Sequence, residues 1–134
     1  RHGHSCEKIV TNLPLSLYAS RMMNFPFKDK KKVAAATQFA IEDDVPFNID
    51  DCIISTQVFP TKTKEANALT VVAPLENIEI FLQTLQNISI DPDVITTDQA
   101  ALCSFFHRQK SFTAGKSVAC INFGHRKTTL QIYF

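Results

Sequence analysis

The chain has 134 residues, 45% of them hydrophobic and 20% charged, with a formal charge of +1. That length holds one domain, or one small domain and a piece of another, and the apolar content excludes a disordered chain. The near-zero charge gives no general attraction for nucleic acid or an anionic membrane, and no apolar run reaches the ~20 residues of a membrane span.

The chain opens Arg1-His2-Gly3-His4-Ser5-Cys6 and closes on the apolar Leu130-Gln131-Ile132-Tyr133-Phe134, so both ends read as cut from a longer protein. Residues 1–6 read as a flexible terminus of the kind an expression tag leaves. His2, His4 and Cys6 have a spacing that can catch a transition metal, but a free end lacks the fixed geometry of a native site, so no metal site is assigned. Glu7 to Asn12 predicts a short strand. Leu15 to Phe25 predicts a second, with Leu17, Tyr18, Met22, Met23 and Phe25 as its apolar set.

A tight exit at Pro26 leads into an amphipathic helix. Asp29 is placed to cap it, and Val33, Ala36, Ala40 and Ile41 form its apolar stripe, with Phe39 at the edge. Pro46 disfavours the helical conformation of the residue before it, which ends the helix near Asp44 or Val45. The Lys30-Lys31-Lys32 run reads as a solvated helix start. Glu42, Asp43 and Asp44, with Phe47 beyond them, are either a solvated helix end or a surface for a basic partner.

Asp51 to Phe59 is β-branched and aromatic, a strand signal, and the polar stretch Thr61 to Asn67 connects it to the next. Ala68 to Ala73 is the near-continuous apolar run of a central strand buried on both faces. Pro74 opens the strongest helix, whose stripe is Ile78, Phe81, Leu82, Leu85 and Ile88. Ile88 to Thr96 turns into a short strand, and Asp98 caps a third helix that buries Ala101, Leu102, Phe105 and Phe106. Arg108 to Gly115 is a polar loop. Lys116 to Ile121 and Thr128 to Phe134 predict strands around the turn Asn122 to Lys127.

The predicted order is β-β-α-β-β-α-β-α-β-β, an α+β fold. Residues 7–110 form a small mixed, mostly antiparallel sheet with helices on one face, and residues 116–134 form a β-hairpin that begins a further unit. The four cysteines, Cys6, Cys52, Cys103 and Cys120, lack metal-ligand spacing and read as free thiols of a reducing compartment. No nucleophile–base pairing or phosphate-loop sequence occurs, so no catalytic residue is assigned.

The apolar-Pro-apolar exit Phe25-Pro26-Phe27 and the acidic helix end Gln38 to Phe47 resemble the PilM-like family of type IV pilus assembly proteins. They are also similar to the cytoplasmic actin-like domain of the GspL-like type II secretion proteins. The resemblance continues in Leu69-Thr70-Val71-Val72-Ala73-Pro74, Pro92-Asp93-Val94, Thr97-Asp98-Gln99-Ala100-Ala101-Leu102 and the hairpin Val118 to Leu130. It implies an α+β subdomain inserted in an actin-like fold, followed by the hairpin whose turn faces a nucleotide phosphate.

Carried onto this chain, that phosphate turn is Asn122, Gly124, His125, Thr128 and Thr129. Gly124 would let the backbone approach an anion, and Thr128 would supply a hydroxyl. Asn122 stands where the family typically has Asp and is a poor ligand for a hard cation, so no cofactor is expected in this chain, while ATP and magnesium remain implied for a longer parent. The same turn can equally be a plain hairpin connection.

The resemblance further implies a non-catalytic scaffold at the cytoplasmic face of the bacterial inner membrane. It would hold an assembly ATPase or the cytoplasmic tail of a platform protein through Glu42, Asp43, Asp44 and Phe47. The alternatives are a fragment of a nucleotide-binding actin-like ATPase and a free-standing ferredoxin-like binding module. An unpaired hairpin edge at 117–134 also predicts a dimer or domain-swapped oligomer.

Overall fold

The computed structural model describes residues 8–108, 116–125 and 128–133. The N-terminal segment with His2, His4 and Cys6, most of the polar loop after Arg108, and Phe134 lie outside the described residues. The elements are β1 (Val10–Leu13), β2 (Ala19–Phe25), α1 (Lys30–Ala40), β3 (Cys52–Pro60), β4 (Ala66–Pro74), α2 (Leu75–Gln86), β5 (Val94–Thr97), α3 (Asp98–Arg108), β6 (Val118–Phe123) and β7 (Thr128–Tyr133). Short 3-10 turns at Glu42–Asp44 and Ile49–Asp51 join α1 to β3. This is the expected order and the expected α+β class.

The largest sheet is antiparallel, in the order β2-β4-β3, and β4 is central because its apolar run can be covered on both sides. Phe25 stands opposite Ala66 on one flank, and Val58 opposite Ala68 on the other. Strand alternation sends Ala66, Ala68, Thr70 and Val72 to one face, where α1 lies, and Val71 and Ala73 to the other. On the α1 face, Val33 packs with Phe25, Ala66 and Ala68, and with the flanking Phe27 and Val58. On the opposite face, Ala73 joins Leu13 and Tyr18, against Ile78 and Phe81 of α2. The helices thus divide between the two faces.

A second sheet pairs β1 with β5 in parallel, Val10 opposite Val94 through Leu13 opposite Thr97. The Ile9 N–H donates to the Asp93 carboxylate at 2.7 Å, and the Asp93 N–H donates back to the Ile9 carbonyl at 2.9 Å. β6 and β7 form the C-terminal hairpin.

Several boundaries and burials differ from expectation. The first strand runs Val10–Leu13 rather than Glu7 to Asn12, and the second begins at Ala19 rather than Leu15. Residues 14–17 form a turn, closed by the Leu17 N–H on the Pro14 carbonyl at 2.9 Å, from which Leu15 and Leu17 still reach the core. α1 stops at Ala40, because Glu42-Asp43-Asp44 are unfavourable at the negative end of a helix dipole; the chain tightens to a 3-10 turn, and Val45 before Pro46 is extended at φ −124°, ψ 145°. Its buried stripe is Val33, Thr37 and Ile41, while Ala40 is exposed and Phe39 is 80% exposed.

α2 ends at Gln86, and Ser89, at φ 59°, redirects the chain, so Ile88 leaves the stripe and is 64% exposed. Of the four side chains expected to be buried by α3, Ala101 and Phe105 face solvent, and Leu102 and Phe106 are half-buried. Thr97 takes the cap position of that helix and accepts the Ala100 N–H at 3.2 Å; Asp98, its first residue, accepts the Gln99 N–H at 3.0 Å and the Tyr18 hydroxyl from across the fold. β6 runs on through Asn122 and Phe123, so the hairpin connection is shorter than the predicted turn.

Candidate interaction site

A concave surface among the described residues lies where α1 ends and β3 begins. Ile41, fully buried, anchors the end of the helix, and its N–H donates to the Thr37 carbonyl at 3.0 Å. The 3-10 turn that follows holds Glu42, Asp43 and Asp44 at the surface, and its Asp44 carbonyl accepts from Arg21 Nη2 of β2 at 2.8 Å. Asn48 then builds the second turn. Its side-chain oxygen accepts the Asp50 N–H at 3.4 Å, and its amide donates to the Asp51 carboxylate at 2.9 Å. These bonds set Ile49 and Asp50 opposite the helix end.

Between the two turns lies a cleft of about 350 Å³. Gln38, Phe39 and Glu42 form the helix wall, Ile49 and Asp50 the turn, and Cys52 and Ile54 the strand. Its lining mixes the apolar Phe39, Ile49 and Ile54 with the Gln38 amide, the Cys52 thiol and the Glu42 and Asp50 carboxylates. The Cys52 thiol lies against the Asn48 carbonyl at 3.2 Å, and burial, with the Asp51 charge second, pushes its pKa up. A thiol so held stays protonated at neutral pH and is a poor nucleophile. Among the described residues no group of His, Cys, Asp and Glu side chains is arranged to hold a metal ion.

Of the predicted partner-binding residues, Glu42 lines this cleft, Asp43 and Asp44 flank it exposed, and Phe47 is half-buried outside the lining. The other contributors, Ile49, Asp50, Cys52 and Ile54, come from the turn and strand that follow. Only the folded chain brings them to the helix end.

The predicted phosphate-turn residues lie together on the hairpin. Asn122 pairs with Thr129, Phe123 pairs with Thr128, and Gly124 and His125 follow β6 at the exposed tip. Alternation gives the hairpin one open apolar face, with Ile121, Phe123, Leu130 and Ile132 all exposed. Cys52, Cys103 and Cys120 are free thiols; Cys6 lies outside the described residues. No helix among the described residues is long and apolar enough to cross a membrane.

A three-stranded antiparallel sheet with α1 on one face and α2 on the other, beside a parallel strand pair and a hairpin, makes an α+β chain. Among solved structures it superposes on a chain of the PilM-PilN type IV pilus biogenesis complex, with a TM-score of 0.76 over 92% of its length and 19% identity. It spans 38% of that longer chain. At this identity the match shows a shared fold. No family model and no curated protein matches the sequence.

Proposed function

We propose that this chain is part of a non-catalytic interaction domain of a type IV pilus assembly machinery. The observation that carries the reading is the superposition on a chain of the PilM-PilN complex along nearly the whole of this one. The described surface fits a binding role: its concave site combines apolar side chains with exposed carboxylates, and the thiol within it is held protonated. On this reading the parent works at the cytoplasmic face of the bacterial inner membrane. Its partners there are an assembly ATPase or the cytoplasmic tail of a platform protein, and a GspL-like place in type II secretion is the sister case. The test is calorimetry and pull-down of the parent protein with those partners. Association in the micromolar range supports the reading, and no association refutes it.

A second reading, a nucleotide-binding actin-like ATPase, is favoured by the hairpin, which sets Asn122 opposite Thr129 and Gly124 at the end of a strand. Magnesium-ATP titration of the parent decides it. Binding that is lost on Thr128→Val supports this alternative, and no binding removes it.

A further inference from the structure

The formal charge of +1 hides a separation that only the fold makes. Pro60 of β3 stands opposite Ala66 of β4, and on the other flank of β4 Phe25 of β2 pairs with the same Ala66. The loop after Phe25 and the connection after Pro60 therefore leave the sheet at one end. Val33 packs on Phe25 and Ala66, which puts the first turn of α1 over that end too. These three segments carry Lys28, Lys30, Lys31, Lys32, Lys62 and Lys64, all exposed. Against the six lysines stand two carboxylates, Asp29 and Glu65, and Asp29 is turned to the helix start, where it accepts the Lys31 and Lys32 N–H groups.

The acidic turns Glu42–Asp44 and Ile49–Asp51 lie at the other end, where α1 finishes and β3 begins. The nine residues of β3, at ~3.3 Å each, hold the two ends roughly 25 Å apart. That is about three screening lengths at physiological salt. Over such a distance the carboxylates do not neutralise the lysines, and the basic end acts as a separate cationic face.

The composition of this face selects its occupant. All six cations are lysines, compact point charges that suit a diffuse layer of anions; the fork of Arg, which grips a single phosphate or carboxylate, is missing from it. Its aromatic side chains, Phe25 and Phe27, lie 5.7 Å apart between ring centres and pack into the core cluster, so they give nucleic-acid bases no platform. The six lysines stand outside the lining of the cleft, whereas a bound protein segment takes its affinity from anchors seated in desolvated pockets. An anionic lipid surface needs only several lysines presented together, and clusters of roughly four to eight suffice.

We infer that this end of the chain binds the anionic headgroup surface of a phospholipid bilayer. The choice of a bilayer rests on the reading as part of a machinery at the inner membrane, and the cationic face itself does not. Bound in this way, the chain directs its acidic turns away from the lipid.

The test is co-sedimentation of the 134-residue chain with vesicles of phosphatidylcholine, alone or with about one third phosphatidylglycerol. The anionic vesicles bind at least about tenfold more tightly than the neutral ones, and added salt releases the chain. Each lysine near the surface contributes about fivefold, so Lys62→Ala/Lys64→Ala and Lys31→Ala/Lys32→Ala each weaken binding by roughly twentyfold. These positions are exposed, and the α1 pair keeps the backbone N–H groups that Asp29 caps. Glu42→Gln/Asp50→Asn, at the far end, changes binding by less than about twofold.

Equal binding of the two vesicles, a loss of under about threefold in either lysine pair, or a larger effect of the acidic pair overturns the inference. So does tighter binding of polyglutamate or duplex DNA than of the anionic vesicles, which assigns the face to an acidic protein or a nucleic acid. Vesicle binding by a parent protein that captures no pilus partner keeps the surface and refutes the proposed function. Capture of a pilus partner by a parent that ignores the vesicles keeps the function and refutes the surface.

Discussion

Replacing Ile41 with Ala tests how the end of α1, and with it the acidic turn, is held. Ile41 is 0% exposed, and its backbone bonds, N–H to the Thr37 carbonyl and carbonyl from the Asp44 N–H, survive in Ala, so only side-chain carbons are lost. Three buried carbons at ~0.8 kcal/mol each remove about 2.4 kcal/mol of transfer free energy. The cavity left behind adds ~1 kcal/mol, for a loss of about 3.5 kcal/mol, within the range for such truncations. Ile41→Val removes one carbon and costs about 1 kcal/mol. Urea unfolding followed by far-UV circular dichroism measures both. With a denaturant slope of about 2 kcal/mol per molar, the midpoint falls by roughly 1.7 M for Ala and 0.5 M for Val, at unchanged slope. An Ala midpoint within about 0.5 M of the wild type would refute the reasoning, because an enclosed side chain cannot be truncated at so small a cost.

Tyr18→Phe removes the hydroxyl that donates to Asp98 and lowers stability by about 1.5–3 kcal/mol, the scale for a bond to a charged group. Burial, then the bond to Asp98 and its charge, raise the Tyr18 pKa well above its usual value near 10. The folded phenol therefore keeps its proton where the unfolded one loses it. This stabilisation is complete below about pH 10 and is lost as pH rises beyond that, so wild type declines more steeply than Tyr18→Phe in alkaline denaturation; parallel declines refute it. Asp29 caps α1 by accepting the Lys31 and Lys32 N–H groups at 2.9 and 3.0 Å, so Asp29→Ala costs about 1 kcal/mol, and an unchanged urea midpoint counts against the cap. The open face of the β6–β7 hairpin is expected to self-associate, with Phe123→Ser lowering the light-scattering mass; a monomeric wild type at high concentration contradicts this.

The order of elements was legible because its strongest signals are local: the apolar run of β4, the helical period of α2, and the Asp29 cap of α1. What was not legible depends on distant partners. Thr37 breaks the apolar stripe by hydropathy, yet it is fully buried because its hydroxyl donates to the Val33 carbonyl at 2.7 Å. Asp98 was the cap read from the sequence, whereas Thr97 fills that position and Asp98 engages the hydroxyl of Tyr18, 80 positions away. The acidic turn was recognisable as a candidate surface. Its apolar counterpart was not, because Ile49, Cys52 and Ile54 belong to a different local pattern and meet Phe39 only through the α1–β3 packing.

The parallel pairing of β1 with β5 has a consequence for how the chain folds. The β3–β4 ladder closes over the five residues 61–65, whereas joining Ile9 to Asp93 closes a loop of 84. Loop-closure entropy makes the second event dearer by about 2.5 kcal/mol, and nothing local nucleates it. The antiparallel sheet therefore assembles early, and the strand pair at the edge of the fold docks last and opens first. In native-state hydrogen exchange the amides of Asn12, Leu13 and Thr96 would exchange ahead of those of Thr70 and Val72, marking β1 and β5 as the seam along which the fold comes apart.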